Sequence, residues 1–210
     1  LWVLPKQHNN GMKNFINAAI ETVNTPTDEK LLETILKTLE KHAVYVGVPE
    51  DKGEREFVMS QNSVLLLRNL QLGGQINNAT LLYIHTHGSP VKNIPERPVI
   101  EPAIEDKENA SKLNKLLLNA AKEGIKGNEQ GLLIQLGRVG MAAQNICRDW
   151  FTNPKNGWPP NQPATIKGKL RKMSKKKRES ALAAIDRGEA ADHPLIDTGQ
   201  LRKSIVFVVK

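Results

Sequence analysis

Pro194-Leu195-Ile196-Asp197-Thr198-Gly199-Gln200-Leu201-Arg202-Lys203-Ser204-Ile205-Val206-Phe207-Val208-Val209 admits two readings, and the fold turns on the choice between them. Asp197-Thr198-Gly199 is the tripeptide of aspartic proteases, here preceded by Leu195-Ile196. Such an enzyme sets its aspartate on a loop inside a sizeable β-domain and pairs it with a second aspartate. Only eleven residues follow Gly199, too few for a flap and the rest of that sheet. The second reading fits better. Asp197 or Thr198 caps a helical turn, Leu201 and Ile205 share one apolar face at i, i+4 spacing, and Ser204 to Val209 forms a strand. That strand is apolar on both faces, which predicts burial within a sheet or pairing with another chain.

Another strand lies far upstream. Ala43-Val44-Tyr45-Val46-Gly47-Val48 is β-branched and aromatic, and Pro49 ends it. Before it, the spacing predicts an amphipathic helix over Met12–Val23. A second runs over about Glu29–Lys41, with Leu31, Leu32, Ile35, Leu36 and Leu39 at helical intervals. Between Glu50 and Ile76 no period holds; the apolar run Ser63-Val64-Leu65-Leu66-Leu67 and the Gly73-Gly74 turn suggest an insertion or extended arm. Asn78 is placed to cap a short helix from Ala79 to His85, stopped by Gly88-Ser89-Pro90. Pro95, Pro98 and Pro102 keep the next stretch extended, and Pro102 suits the first turn of a long helix reaching Glu123. Gln130–Phe151 reads as a second long helix, with Leu133, Leu136, Gly137, Gly140 and Ala143 on its packing face. Asn153–Pro163, with four prolines, reads as loop, and Lys175–Arg187 as a helix closed by Gly188. Helices with well-separated strands and no βαβ rhythm define an α+β class: a small mixed or antiparallel sheet packed against long helices, with an extended insertion or arm. The expectation is one α+β domain over 1–210, carrying insertions at about 50–76 and 164–192.

Composition narrows the chemistry. Aromatics make up only 4% of the 210 residues, poor material for stacking bases or sugars. Cys147 is the single cysteine, which excludes an internal disulfide and a cysteine-clustered zinc site and suits a reducing compartment. On a long helix without a histidine partner, it reads as a core residue. No apolar run approaches the length of a membrane span and no signal peptide is visible, so a soluble protein is expected. With Leu1 as the first residue, a true N-terminus upstream, or removed, is expected. His85-Thr86-His87 resembles a metal pair, but at a helix end residues i and i+2 point about 200° apart. Ser89 and Pro90 stand where a zinc hydrolase would carry an aspartate and a histidine, leaving His42 and His193 as remote candidates. No Walker loop or paired-carboxylate signature occurs, and no cofactor is expected.

The net charge of +8 is concentrated. Eight of the twelve residues from 167 to 178 are basic: Lys167, Lys169, Arg171, Lys172, Lys175, Lys176, Lys177 and Arg178. Such a run suits an acidic protein partner, a solvated arm or a nucleic acid.

Three stretches, in order, carry a resemblance: Ala43 to Val48; Ala79-Thr80-Leu81-Leu82-Tyr83-Ile84-His85 with Ile94-Pro95-Glu96-Arg97-Pro98; and Pro194 to Ile205, ending in the Asp197-Thr198-Gly199-Gln200-Leu201 motif. Together they resemble tailed-bacteriophage neck and tail-completion (virion morphogenesis) proteins, including the minor structural proteins of Mu-like prophages. The chain departs from that pattern at Thr86-His87, where the family carries an acidic residue then an aromatic, and at Val99, where it carries Phe. The resemblance implies a non-enzymatic ring subunit, at the neck or as a tail terminator, that joins the tail to the DNA-filled head. It would assemble in the host cytoplasm and end in the virion, among other connector and tail proteins and near packaged DNA. Asp197, Thr198, Gly199 and Leu201 would be structural. Arg97, held between two prolines, can brace a neighbouring turn or a subunit carboxylate, and with Leu65, Leu66 and Leu67 it is a candidate for docking a partner. The alternative function is a basic nucleic-acid-binding protein using Lys167 to Arg178.

Overall fold

The computed structural model describes residues 2–3, 41–49, 77–187 and 193–210. The expected helices at 12–23 and about 29–41 and the insertion at 50–76, with Leu65, Leu66 and Leu67, fall outside these residues, apart from Lys41. The chain divides into two compact units interleaved in sequence. One comprises Leu1–Gly47, Pro98–Trp158 and Ile205–Lys210; the other comprises Val48–Arg97 and Pro159–Ser204.

The first unit is α+β, with an antiparallel sheet on long helices. Strands β1 (Trp2–Val3), β2 (Val44–Gly47) and β3 (Val206–Val209) lie in the order β1-β2-β3, all antiparallel. β2 pairs Val44 with Val209, Tyr45 with Val208, Val46 with Phe207 and Gly47 with Val206. The ladder continues one pair further, with Ala43 and Lys210 exchanging both backbone bonds at 2.6 and 3.0 Å. The period of two puts Val44 and Val46 in the core, while Tyr45 is half-buried with the Lys210 ammonium 5.9 Å from its ring centroid. The C-terminal strand therefore pairs within its own chain and forms one edge of the sheet.

Helix α3 (Lys107–Ile125) packs on α4 (Glu129–Trp150), and α4 in turn supports β2 and β3. Buried Leu132, Leu136, Val139, Ala143, Ile146 and Trp150 advance along α4 in steps of four and three, the spacing that holds one face of an α-helix toward a core. The packing face differs from the expected one at two positions. Leu133 is 41% exposed, and a Cβ built on Gly137 meets nothing within 4 Å. Both lie off the stripe set by Leu132 and Leu136. Gly140 is on it, because a methyl group there would overlap the Phe207 ring of β3.

The long helix expected from Pro102 is two helices. The chain enters α2 (Ile100–Glu105) and breaks at Asp106, whose extended backbone lets its carboxylate accept from the Glu108 and Asn109 amides at 3.2 and 3.3 Å. An aspartate so placed is an N-cap, and it starts α3 afresh. Lys126-Gly127-Asn128 connects α3 to α4. Gly127 takes a left-handed φ of 69°, and Asn128 caps α4 through Gly131 while donating to Glu123 at 2.7 Å.

The second unit is helical among its described residues: α1 (Asn78–His87), α5 (Pro163–Lys172), α6 (Lys175–Asp186) and α7 (Gln200–Ser204). Asn77, not Asn78, caps α1, accepting from Thr80 N at 2.8 Å. An N-cap needs extended backbone, which Asn77 has at φ −75°, ψ 169°, whereas Asn78 is already helical and buried. α7 packs on α1, and Leu201 of α7 and Leu82 of α1 are both buried. Pro163 opens α5 rather than closing a loop, its missing N–H costing nothing in a first turn.

Candidate functional site

The strap from Gly88 to Arg97 places the Ile-Pro-x-Arg-Pro motif. Gly88 ends α1 at φ 67°, and a side chain there would meet Glu96 Cγ and Ile94 O at 2.9 Å. Ser89 and Ile94 exchange backbone bonds at 2.8 and 3.0 Å, and Arg97 N donates to His85 O at 2.6 Å. The strap is thereby folded back along the end of α1. Arg97 is 6% exposed, and its guanidinium turns inward. Nε donates to Pro159 O at 3.2 Å, and Nη2 donates to Pro159 O at 2.9 Å and Pro160 O at 3.1 Å. Of the two roles open to Arg97, bracing a neighbouring turn is the one observed; a buried guanidinium committed to carbonyls is not an exposed partner contact. The rigid fork suits these two successive carbonyls, neither of which has an amide N–H on its own residue to offer.

One residue on either side, the first unit repeats the device. Trp158 donates its indole N–H to Pro98 O at 3.0 Å and stands edge-on to the buried Phe151 ring, with centroids 5.8 Å apart. Nothing in the local sequence marks Trp158. A tryptophan beside two prolines carries no periodic signal, and only its partner's position gives it a role.

The C-terminal motif is structural in form. Asp197 is exposed and its carboxylate accepts from Lys172 Nζ at 2.9 Å. Thr198 Oγ1, not Asp197, takes the capping position, in a long bond from Gln200 N at 3.4 Å. Gly199 adopts φ 76°, the left-handed turn that feeds α7, and Leu201 is buried at 4% exposure. Ser204 Oγ donates to Leu201 O at 2.8 Å inside the unit.

The basic run divides into two populations. Lys172 pairs with Asp197, and Lys169 Nζ donates to His193 O at 3.0 Å, so these two fasten α5 to the turn before α7. Lys167, Arg171, Lys175, Lys176, Lys177 and Arg178 are exposed and form no ion pair among the described residues. Arg178 makes one long bond, to Met173 O at 3.5 Å. Neither α5 nor α6 contains a buried residue.

The remaining chemical candidates are dispersed. His87 Nδ1 lies 3.0 Å from Tyr83 O, with its ring 4.3 Å from the Tyr83 ring. His42 faces Glu129 at 3.6 Å, and His193 is exposed. Among the described residues no three His, Cys, Asp or Glu side chains converge as a metal site would require. Cys147 is wholly buried, and burial pushes its thiol up to about 12, so it is protonated at neutral pH. No helix among the described residues is long and apolar enough to cross a membrane. No family model, curated protein or solved structure matches the chain.

Proposed function

We propose that the chain is a structural subunit of a tailed-phage virion, one of a ring of identical copies that joins the tail to the DNA-filled head. The observation that carries this reading is how the motif residues are used. Arg97 braces a diproline turn, Gly199 and Thr198 start α7, and Leu201 packs in the unit's interior. All of these roles lie within the chain, which fits motif residues that are structural. A ring requires two different surfaces on each subunit. The outward face of α4 offers one, with Leu133, Ile134 and Met141 exposed at 41%, 54% and 56% beside the open Gly137. Deleting the gene from its phage or prophage tests the reading. The expected particles are DNA-filled heads and separate, unattached tails; fully joined, infectious particles would overturn it.

A further inference from the structure

From Pro163 to Arg187 the second unit carries nine cations against two carboxylates, Glu179 and Asp186, so this stretch holds +7 against the chain's net +8. Lys167, Arg171, Lys175, Lys176, Lys177 and Arg178 form no ion pair among the described residues. α5 and α6 bury no residue, and only Lys169 and Lys172 are committed to the turn at 193–197. Lys167 and Arg171, four apart, share one face of α5, away from Lys169 and Lys172. Lys175, Lys176, Lys177 and Arg178 fan at about 100° steps round the first turn of α6. No acidic residue occupies that turn and no side chain caps it, so four like charges crowd the positive end of a helix. Isolated, the arrangement is unfavourable; beside a dense polyanion, its sign reverses.

We infer that the exposed cations of α5 and α6 bind the phosphate backbone of duplex nucleic acid without reading its sequence. The side chains that are missing select this partner. Residues 163–187 contain no Phe, Tyr, Trp or His on which an unpaired base would stack, which disfavours a single strand. They contain no Asn or Gln to read adenine edges either. What remains is six cations, four of them lysine, which suits point-charge neutralisation of phosphates. The inference is independent of where the subunit sits in a virion, because it concerns the isolated chain.

The test is fluorescence anisotropy of the full chain with labelled duplexes of two unrelated sequences, titrated between 50 and 200 mM KCl. The two duplexes should bind within about threefold of each other, and log affinity should fall with log salt at a slope of about −5 for six contacts. K175Q/K176Q/K177Q should weaken binding tenfold or more and flatten the slope by about three units. K167Q/R171Q should weaken it in the same sense from the other helix. K107Q/K112Q/K115Q, which removes the same charge from exposed positions of α3, should leave affinity within about twofold. Equal losses in the two lysine triples would reduce the effect to net charge and overturn the site. Tighter binding of a polyglutamate peptide than of duplex would assign the patch to an acidic protein partner. Tighter binding of a single strand of the same length, or no binding at 50 mM, also contradicts the inference.

Discussion

Arg97 shows how a single side chain can hold two turns together. Its three donor contacts to the Pro159 and Pro160 carbonyls need a planar fork at a fixed height, which a lysine cannot supply. Arg97→Ala should therefore cost about 2 kcal/mol or more in urea unfolding, as for buried hydrogen bonds to a charged group, and Arg97→Lys should recover less than half of it. Two glycines of α4 give a sharper contrast. At Gly137 nothing opposes a methyl group, so Gly137→Ala gains helix propensity and should stabilise by up to about 1 kcal/mol. At Gly140 the same gain meets the Phe207 ring, and overpacking of about 1–3 kcal/mol outweighs it. Opposite shifts in urea midpoint are expected. A single sequence cannot separate these glycines, since they differ only in what a distant strand places over them. The part of Arg97 that the sequence does disclose is its confinement between Pro95 and Pro98; that its acceptors would be carbonyls about sixty residues away is a tertiary fact.

At the level of elements, α4 and the strands β2 and β3 are readable in advance from their helical spacing and their β-branched, aromatic composition, whereas the pairing of β2 with β3 is a tertiary fact. α5 is hidden by the proline run that ends at Pro163 and by lysines that interrupt Ile166 and Leu170, its only half-buried aliphatic pair. The break between α2 and α3 is hidden for a different reason: an aspartate flanked by helix formers signals a cap only once its backbone is seen to be extended. Asp106 is also a pH-sensitive joint. Desolvation pushes its carboxyl upward, but the Lys155 ammonium and the Asn109 and Glu108 amides outweigh this and hold it below the ordinary 3.8. Lys155, bound to Glu108 and Asp106 at 3.0 and 3.2 Å, is correspondingly raised. A depressed carboxylate stabilises the fold fully above its unfolded pKa and loses that contribution as pH falls through the folded one. Asp106→Asn should thus lower the melting temperature at pH 7, and the gap between variant and parent should narrow as pH drops below 3.8. A gap independent of pH would leave Asp106 with a capping role alone.

The whole molecule combines an α+β unit, whose described core is apolar and whose α4 presents an exposed aliphatic face, with a helical unit that carries most of the net charge. The first surface suits contact between subunits and the second suits contact with a polyanion, and a connector ring around a DNA-filled passage would use both. Fold class was within reach of the sequence because strand and helix periods are local. The division into units was not, because the chain crosses between them at Gly47–Val48, Arg97–Pro98, Trp158–Pro159 and Ser204–Ile205, where no composition shift marks a boundary. An electron-microscopy map of intact virions with this subunit labelled tests the proposed position in the particle. Density is expected in a closed ring of copies on the head–tail axis; label found elsewhere on the particle, or absent from virions, would contradict the proposed role.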